Sequence, residues 1–139
     1  MVLQNTVSVF PGDFVIEGKM VKGALERALV FLCRLDVSLE VYLISEKEMR
    51  ALNRDHHAAD CPTNILSFPA APSFPTPEFP GSFLGEIFLA PEYVRDHGED
   101  IVFLAVHGLL HLLGYTHDGE RDSIKMERKE REIIRRIHS

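Results

Sequence analysis

Residues 101–117, IVFLAVHGLLHLLGYTH, decide how the rest of the chain must be arranged. Residues 101–113 are apolar on every side of a helical wheel except at two histidines and one glycine, and a helix of that kind belongs in a protein interior. Such a helix spans about 20 Å, which is too short to cross a bilayer. Gly114 is suited to the left-handed conformation that ends a helix. We therefore expect a buried helix that turns sharply at its carboxyl end.

Three histidines of this stretch are spaced so that they can meet. His107 and His111 lie four residues apart, so both imidazoles project from the same face of the helix. A turn at Gly114 can bring His117 back toward the same point. Burying imidazoles without partners costs free energy, which makes three coincidental core histidines the weaker interpretation. Three imidazoles are the ligand set of a catalytic zinc site with a fourth position for water, so the spacing predicts one Zn²⁺ ion per chain.

The residue after the first histidine separates this chain from metalloproteases. The histidine spacing matches the metzincin motif H-E-x-x-H-x-x-G-x-x-H, in which the glutamate acts as the general base. Gly108 occupies the glutamate position, so peptide hydrolysis by that mechanism is not expected. A metal ion can still lower the pKa of a water toward neutrality. The groups that transfer protons and stabilise charge must then come from elsewhere in the chain.

The surrounding sequence predicts an α+β fold. Apolar alternation or short apolar runs predict strands, apolar residues at helical spacing predict helices, and Ser45 with Glu48 forms a capping-box pattern for a short helix that ends near residue 53. The predicted strands are 2–10, 37–43, 63–68 and 83–89, the predicted helices include 19–35 and 120–137, and residues 54–62 are predicted to be a polar loop. The proline-rich stretch 69–80 is predicted to be a surface connection or a substrate-side flap. We expect a single compact domain over residues 1–139, with a small mixed sheet packed against helices and the histidine-bearing helix buried at its centre.

Composition limits the class of protein. The 139 residues are 45% hydrophobic and 26% charged, which is typical of a globular chain with its own core. No apolar run is long enough to span a membrane, and the first residues do not form a signal-peptide pattern. Cys33 and Cys61 cannot build a disulfide framework, so we expect a reducing cytoplasm. The net charge of −6 argues against nonspecific coating of nucleic acid, and no DNA partner is expected. Residues 119–139 carry 7 basic and 5 acidic side chains, which leaves a local RNA-facing surface open.

Several segments together resemble one known family. Residues 107–118, HGLLHLLGYTHD, resemble the H-G-x-L-H-L-x-G-Y-D-H signature of the YbeY family, which are single-strand-specific metallo-endoribonucleases that act in bacterial ribosomal RNA maturation. The segments SEKEMRALN (45–53), PTNILSFP (62–69) and FLGEIFLAPEYV (83–94) resemble further family landmarks in the same order. The resemblance implies a zinc-like site at His107, His111 and His117.

Three residues outside the histidine motif are candidates for catalysis. The resemblance places an arginine five residues before the proline of P-T-N, and His57 occupies that position here. We predict that His57, or Arg54 three residues earlier, stabilises the developing negative charge on the phosphate. Glu86 lies in a strongly apolar predicted strand, where an acid needs a partner. We predict that Glu86 orients a ligand histidine or the catalytic water, and the alternative is an edge-facing residue.

The signature itself departs from the family at one position. Thr116 stands where the family commonly has an aspartate before the third histidine. Any role of that carboxylate is lost or moved to Asp118. The other interpretation of Asp118 is the amino-terminal cap of the last helix.

The function that these observations favour is a zinc-dependent endoribonuclease. The resemblance implies action on single-stranded RNA, in maturation of the 3′ end of small-subunit ribosomal RNA and in ribosome quality control, with the ribosome or ribosomal proteins as partners and no membrane association. One alternative is a noncatalytic, zinc-containing factor that binds RNA or the ribosome. Structural zinc sites usually close with four protein ligands, so three histidines favour the catalytic case. Another alternative is a zinc hydrolase that acts on a different substrate.

Overall fold

The computed structural model describes residues 4–70 and 82–138, and over these ranges the chain forms four strands and five helices. The strands are β1 (Thr6–Phe10), β2 (Val37–Leu43), β3 (Ile65–Pro69) and β4 (Ser82–Leu89). The helices are α1 (Val15–Phe31), α2 (Glu46–His57), α3 (Pro91–Asp96), α4 (Ile101–Leu112) and α5 (Glu120–Ile137). The predicted surface connection or flap at 69–80 lies, from residue 71 onward, outside the described residues.

The strands form one mixed sheet in the order β1-β2-β4-β3. β1, β2 and β4 run parallel to one another, while β3 lies at an edge and pairs antiparallel with β4. This sheet, packed against helices, confirms the predicted α+β class. Over the described residues, no helix combines the length and the apolar character that a membrane span requires.

The central position of α4 is also confirmed. α4 contacts α1, α5, β3 and β4, so helices or strands lie on several of its sides. Nine of its twelve residues are buried, including Ile101 at its first position and Leu112 at its last. The amino end of α4 is capped by Asp100, whose carboxylate accepts hydrogen bonds from the backbone N–H groups of Val102 and Phe103. The buried face of β2, from Val37 to Leu43, belongs to the same hydrophobic core as α4.

The carboxyl end of α4 turns as the glycine predicted. Gly114 has a φ of +101°. The Tyr115 N–H donates to the Leu110 carbonyl at 2.9 Å and the Gly114 N–H donates to the His111 carbonyl at 3.0 Å, which are the two bonds of a Schellman motif. The turn satisfies carbonyls that the helix would otherwise leave unpaired and sends residues 115–117 back along α4.

Two helix boundaries differ from the predictions. α1 begins and ends about four residues earlier than predicted. It ends before residue 35 because Cys33 has a positive φ, a conformation that a helix cannot contain. α2 starts with the predicted capping box but continues to His57, so the prediction of a loop at residues 54–57 is wrong. Basic side chains in the last turn of α2 interact favourably with the helix dipole, and Ala58 ends the helix in the left-handed conformation.

Candidate metal centre

The three histidines of the motif come together at the end of α4. The Nε2 atoms of His107 and His111 are 3.0 Å apart, and the Nε2 atoms of His107 and His117 are 3.5 Å apart. His107 and His111 are half-buried and His117 is exposed. Within residues 4–70 and 82–138 this is the only group of three or more histidine, cysteine or acidic side chains placed to hold one metal ion.

The outer nitrogens of the two half-buried rings are both hydrogen-bonded. The Nδ1 atom of His107 lies 2.9 Å from a carboxylate oxygen of Glu130. The Nδ1 atom of His111 lies 3.1 Å from the backbone carbonyl oxygen of Tyr115. Both partners are acceptors, so the Nδ1–H of each ring donates to its partner and Nε2 of each ring faces the cluster. Burial lowers the pKa of His111, and the nearby His107 lowers this pKa further, which favours the neutral form that binds metals.

The spacing of the nitrogens fits a zinc ion. Zinc–nitrogen bonds of about 2.0–2.1 Å in a tetrahedron put two ligand nitrogens about 3.3 Å apart. The two separations that involve His107, 3.0 and 3.5 Å, lie on either side of that value, and all three ligand atoms lie within 4.8 Å of one another. Two Nε2 lone pairs that face each other repel unless a cation lies between them. The donor set therefore suits a cation that prefers imidazole, with a fourth position that these residues do not fill.

Gly108 lies where α4 packs most closely on the sheet. A Cβ atom at this position would come 2.9 Å from Cδ1 of Ile65, 3.1 Å from Oγ of Ser67 and 3.2 Å from Cδ1 of Ile87. Real Cβ atoms almost never come as close to a neighbour as 2.9 Å, and contacts of 3.1 and 3.2 Å are tight, so even an alanine requires the Ile65 side chain to move. The glutamate of the protease motif would have to fit into the same space, which gives a structural reason for the glycine.

Two of the predicted catalytic residues lie on the other face of the sheet. Ser67 and Ile87 point toward α4. The side chains next to them in β3 and β4, Phe68 and Glu86, therefore point to the opposite face, where they are directly paired. The ring of His57 lies 6.1 Å from the ring of Phe68. The structure does not bring Glu86 or His57 into contact with the three histidines.

The remaining predicted residues also have local partners. Arg54 is exposed in the last turn of α2, and its Nε atom is 3.4 Å from the carboxylate of the adjacent Asp55. Asp118 does not cap α5, because the cap position is Gly119 and that cap has no side-chain hydrogen bond. The prediction of Asp118 as a cap is therefore wrong. The hydroxyl of Thr116 donates to the carboxylate of Asp122 at 3.1 Å.

The acid that contacts a histidine of the cluster is Glu130. The sequence analysis predicts Glu86 as the acid that orients a ligand histidine or the catalytic water. In α5 the buried residues are Met126, Glu130, Ile133 and Ile137, which recur at helical spacing on one face. A charged side chain is almost never fully buried without a partner. The sequence feature that indicates Glu130 is therefore an acidic residue within the apolar stripe of the last predicted helix.

Comparisons with known proteins agree with the geometry. The family described as Endoribonuclease YbeY matches residues 16–138. A protein of Chelativorans sp. (strain BNC1) named Endoribonuclease YbeY is 37% identical, over 94% of this chain and 86% of that protein. Proteins with the same name from Sinorhizobium medicae (strain WSM419) and Homo sapiens are 33% and 35% identical, over 97% and 69% of this chain and 91% and 65% of theirs.

A solved structure also matches the fold. The solution structure of a protein from Thermotoga maritima superposes with a TM-score of 0.61 at 25% identity, over 97% of this chain and 89% of that one. The match to the family includes three of the four strands, β2, β3 and β4, together with α4 and α5, and it therefore includes every residue of the histidine cluster and Glu130. The chain belongs to the YbeY family of endoribonucleases.

Proposed function

We propose that this chain cleaves single-stranded RNA and that one zinc ion held by His107, His111 and His117 is required. The observation that carries the proposal is the convergence of three Nε2 atoms, within 4.8 Å of one another, in a chain of the YbeY family. Zinc specifically is supported by the ligand type and by the nitrogen separations. A bound zinc ion supplies Lewis-acid chemistry at a phosphate and lowers the pKa of a water.

The residues of the chain have separate tasks in this proposal. His107 and His111 are held in one tautomer by acceptors at Nδ1, so their orientation is set before any ligand arrives. His117 is the exposed member of the cluster, so RNA reaches the centre from its side. Gly108 puts no acid or base beside the cluster, which excludes the general base that the related protease motif uses.

We propose that Arg54 and His57 contact phosphates of the bound RNA other than the phosphate at which the RNA chain is cleaved. Their support is position, because both lie in the last turn of α2, where Arg54 is exposed and the ring of His57 lies near Phe68 of β3, an edge strand of the sheet. His57 packs near Phe68 on the face of β3 that points away from α4. Phosphate contacts of this kind position a nucleic acid without reading its sequence.

The biological setting that we propose follows from the family. We propose that the chain acts in the cytoplasm as a single domain, in maturation of the 3′ end of small-subunit ribosomal RNA and in ribosome quality control. Ribosomal RNA and ribosomal proteins are the proposed partners. Membership of the YbeY family supports this setting.

The test compares the wild type with His117→Ala, with both proteins purified in parallel because contaminating nucleases are common. His138→Ala is the matched control, since it removes an exposed histidine at the far end of α5. Zinc-loaded wild type and the control should cut an unstructured RNA, spare the same RNA in a duplex and stop when a chelator is added. His117→Ala should bind RNA without cutting it. Equal cleavage by wild type and His117→Ala would overturn the proposal and leave a noncatalytic RNA-binding factor.

A further inference from the structure

Glu130 is a buried carboxylate with one charged or chargeable partner. The residue is 4% exposed, and its Oε1 atom lies 2.9 Å from Nδ1 of His107. Among the residues that the structure describes, no lysine or arginine forms an ion pair with it. The partner is 23 positions away in sequence and lies on another helix, so only the docked α5 brings the two together.

The partner of this carboxylate is the imidazole of His107, not a lysine or arginine side chain. Removing a carboxylate from water is costly unless a positive charge is close. A neutral imidazole donates one hydrogen bond but supplies no net charge. A divalent cation at Nε2 of His107 would put positive charge on the other side of the same imidazole ring from Glu130. The neighbouring His111 shows the contrast, because its Nδ1 needs only the backbone carbonyl of Tyr115.

We propose that Glu130 is a positioning residue that fixes His107 as a metal ligand and couples the docking of α5 to metal binding. Its carboxylate accepts the Nδ1 proton, so the lone pair of Nε2 faces the cluster. The inference rests on the metal site of the proposed function, but it does not depend on which reaction that site performs. Carboxylates behind metal-binding histidines increase ligand basicity and affinity in this way.

The coupling follows from where Glu130 lies in α5. Met126, Ile133 and Ile137 pack the same face of α5 into the core. The same packing buries the carboxylate of Glu130 beside Nδ1 of His107. A cation at the other nitrogen of this ring adds positive charge near the carboxylate, so metal binding stabilises the docked position of α5 as well as the ligands of the metal.

The test measures zinc affinity in three variants by competition with a chromophoric chelator. Glu130→Leu should weaken zinc binding about 10- to 100-fold, the usual range for the loss of such a partner. Glu130→Gln should weaken it less, because the amide oxygen still accepts the Nδ1 proton but carries no charge. Glu132→Gln is the matched control, since it removes a carboxylate two residues away that pairs with Lys129 and whose side chain is 41% exposed. The control should bind zinc as the wild type does.

A second readout separates positioning from simple structural support. Zinc should slow hydrogen exchange of α5 amides in the wild type and in Glu132→Gln, and should slow it much less in both Glu130 variants. Co²⁺-loaded Glu130 variants should also show a changed visible absorption, which reports ligand geometry. Equal zinc affinity and equal protection of α5 in Glu130→Gln and in the control would overturn the inference.

The same experiment distinguishes this inference from the proposed function. If the wild type binds zinc and the Glu130 variants bind it equally well, only the role of Glu130 is overturned. If zinc binding depends on Glu130 but no protein cuts RNA, only the nuclease proposal is overturned. If the wild type binds no zinc, both are overturned.

Discussion

The histidine cluster at the end of α4 and the carboxyl end of α2 carry the same kinds of side chain in different surroundings. At α4, two rings are held at Nδ1 by Glu130 and by a backbone carbonyl, and their Nε2 atoms meet. At α2, Arg54 contacts its own neighbour Asp55, and His57 lies beside an aromatic ring. The first region has the fixed orientation that suits a metal-binding site, whereas the second has the exposure that suits contact with a long substrate.

The largest expected effect separates the two regions directly. His111→Ala removes one Nε2 from the cluster, so we expect the purified protein to lose its zinc and its cleavage of RNA. The helix should remain, because its apolar side chains still pack against α1, α5 and the sheet. Zinc per chain from elemental analysis, circular dichroism and cleavage rates check this together. His97→Ala, at an exposed histidine beyond α3, is the control. A His111→Ala protein that keeps stoichiometric zinc and full activity would contradict the comparison.

Gly108→Glu should reduce activity nearly as much, but by destabilising the folded protein and not by removing a metal ligand. Gly108→Glu would force a charged side chain into the contact of α4 with Ile65 and Ile87, which costs several kcal/mol, or more than half the stability of many domains. Gly108→Ala is the graded control and should cost only about 1 kcal/mol, because overpacking is offset in part by better helix propensity. Urea unfolding measures both. A stable Gly108→Glu protein would show that the sheet leaves more room behind the cluster than its contacts indicate.

Substitutions at the end of α2 should have a smaller effect on cleavage. We expect His57→Ala and Arg54→Ala each to lower kcat/KM by less than about tenfold, since phosphate contacts add to binding more than to chemistry. Zinc affinity should not change. Rates measured over a series of salt concentrations should show a shallower dependence in Arg54→Ala. A loss of a hundredfold or more in His57→Ala at saturating RNA would place this residue in the reaction and break the contrast.

The smallest expected effect concerns an ion pair on the exposed side of α2. Hydrogen bonding to the guanidinium of Arg50 lowers the pKa of Asp60. A carboxyl group whose pKa is lower in the folded chain than in the unfolded chain stabilises the fold at pH values above its unfolded-state pKa. This stabilisation is lost as the pH falls through the folded-state pKa. Asp60→Asn should therefore lower the Tm slightly near neutral pH and not in strong acid. High salt should shrink the difference, because both side chains are more than half exposed. Thermal scans across pH check this, and a difference that grows in acid would contradict it.

The sequence correctly predicts the features that depend only on residues close together along the chain. Histidines four residues apart share a helix face, and Gly114 marks the turn that returns the chain to His117, so the convergence could be read without the fold. The alternation of β2 likewise identified a strand with one buried face.

The features that the sequence does not predict depend on tertiary packing. The apolar segment around Glu86 has hydrophobic residues on both sides of the strand, so periodicity cannot tell which face meets α4. The outer face is aromatic as well, with Tyr42 stacked between Phe10 and Phe88 at centroid distances of 4.8 Å. The partner of His107 comes from α5, and only the packing of α5 on α4 selects Glu130 among the five acids of residues 119–139.

The most direct test of the central claim is a titration of the zinc-free protein with zinc, in which bound metal and the rate of single-stranded RNA cleavage are measured in the same samples. We expect cleavage to be absent at the start, to rise in proportion to zinc occupancy and to reach its maximum at one ion per chain. A zinc-free protein that already cuts RNA at the full rate, or a rate that does not follow occupancy, would contradict this claim.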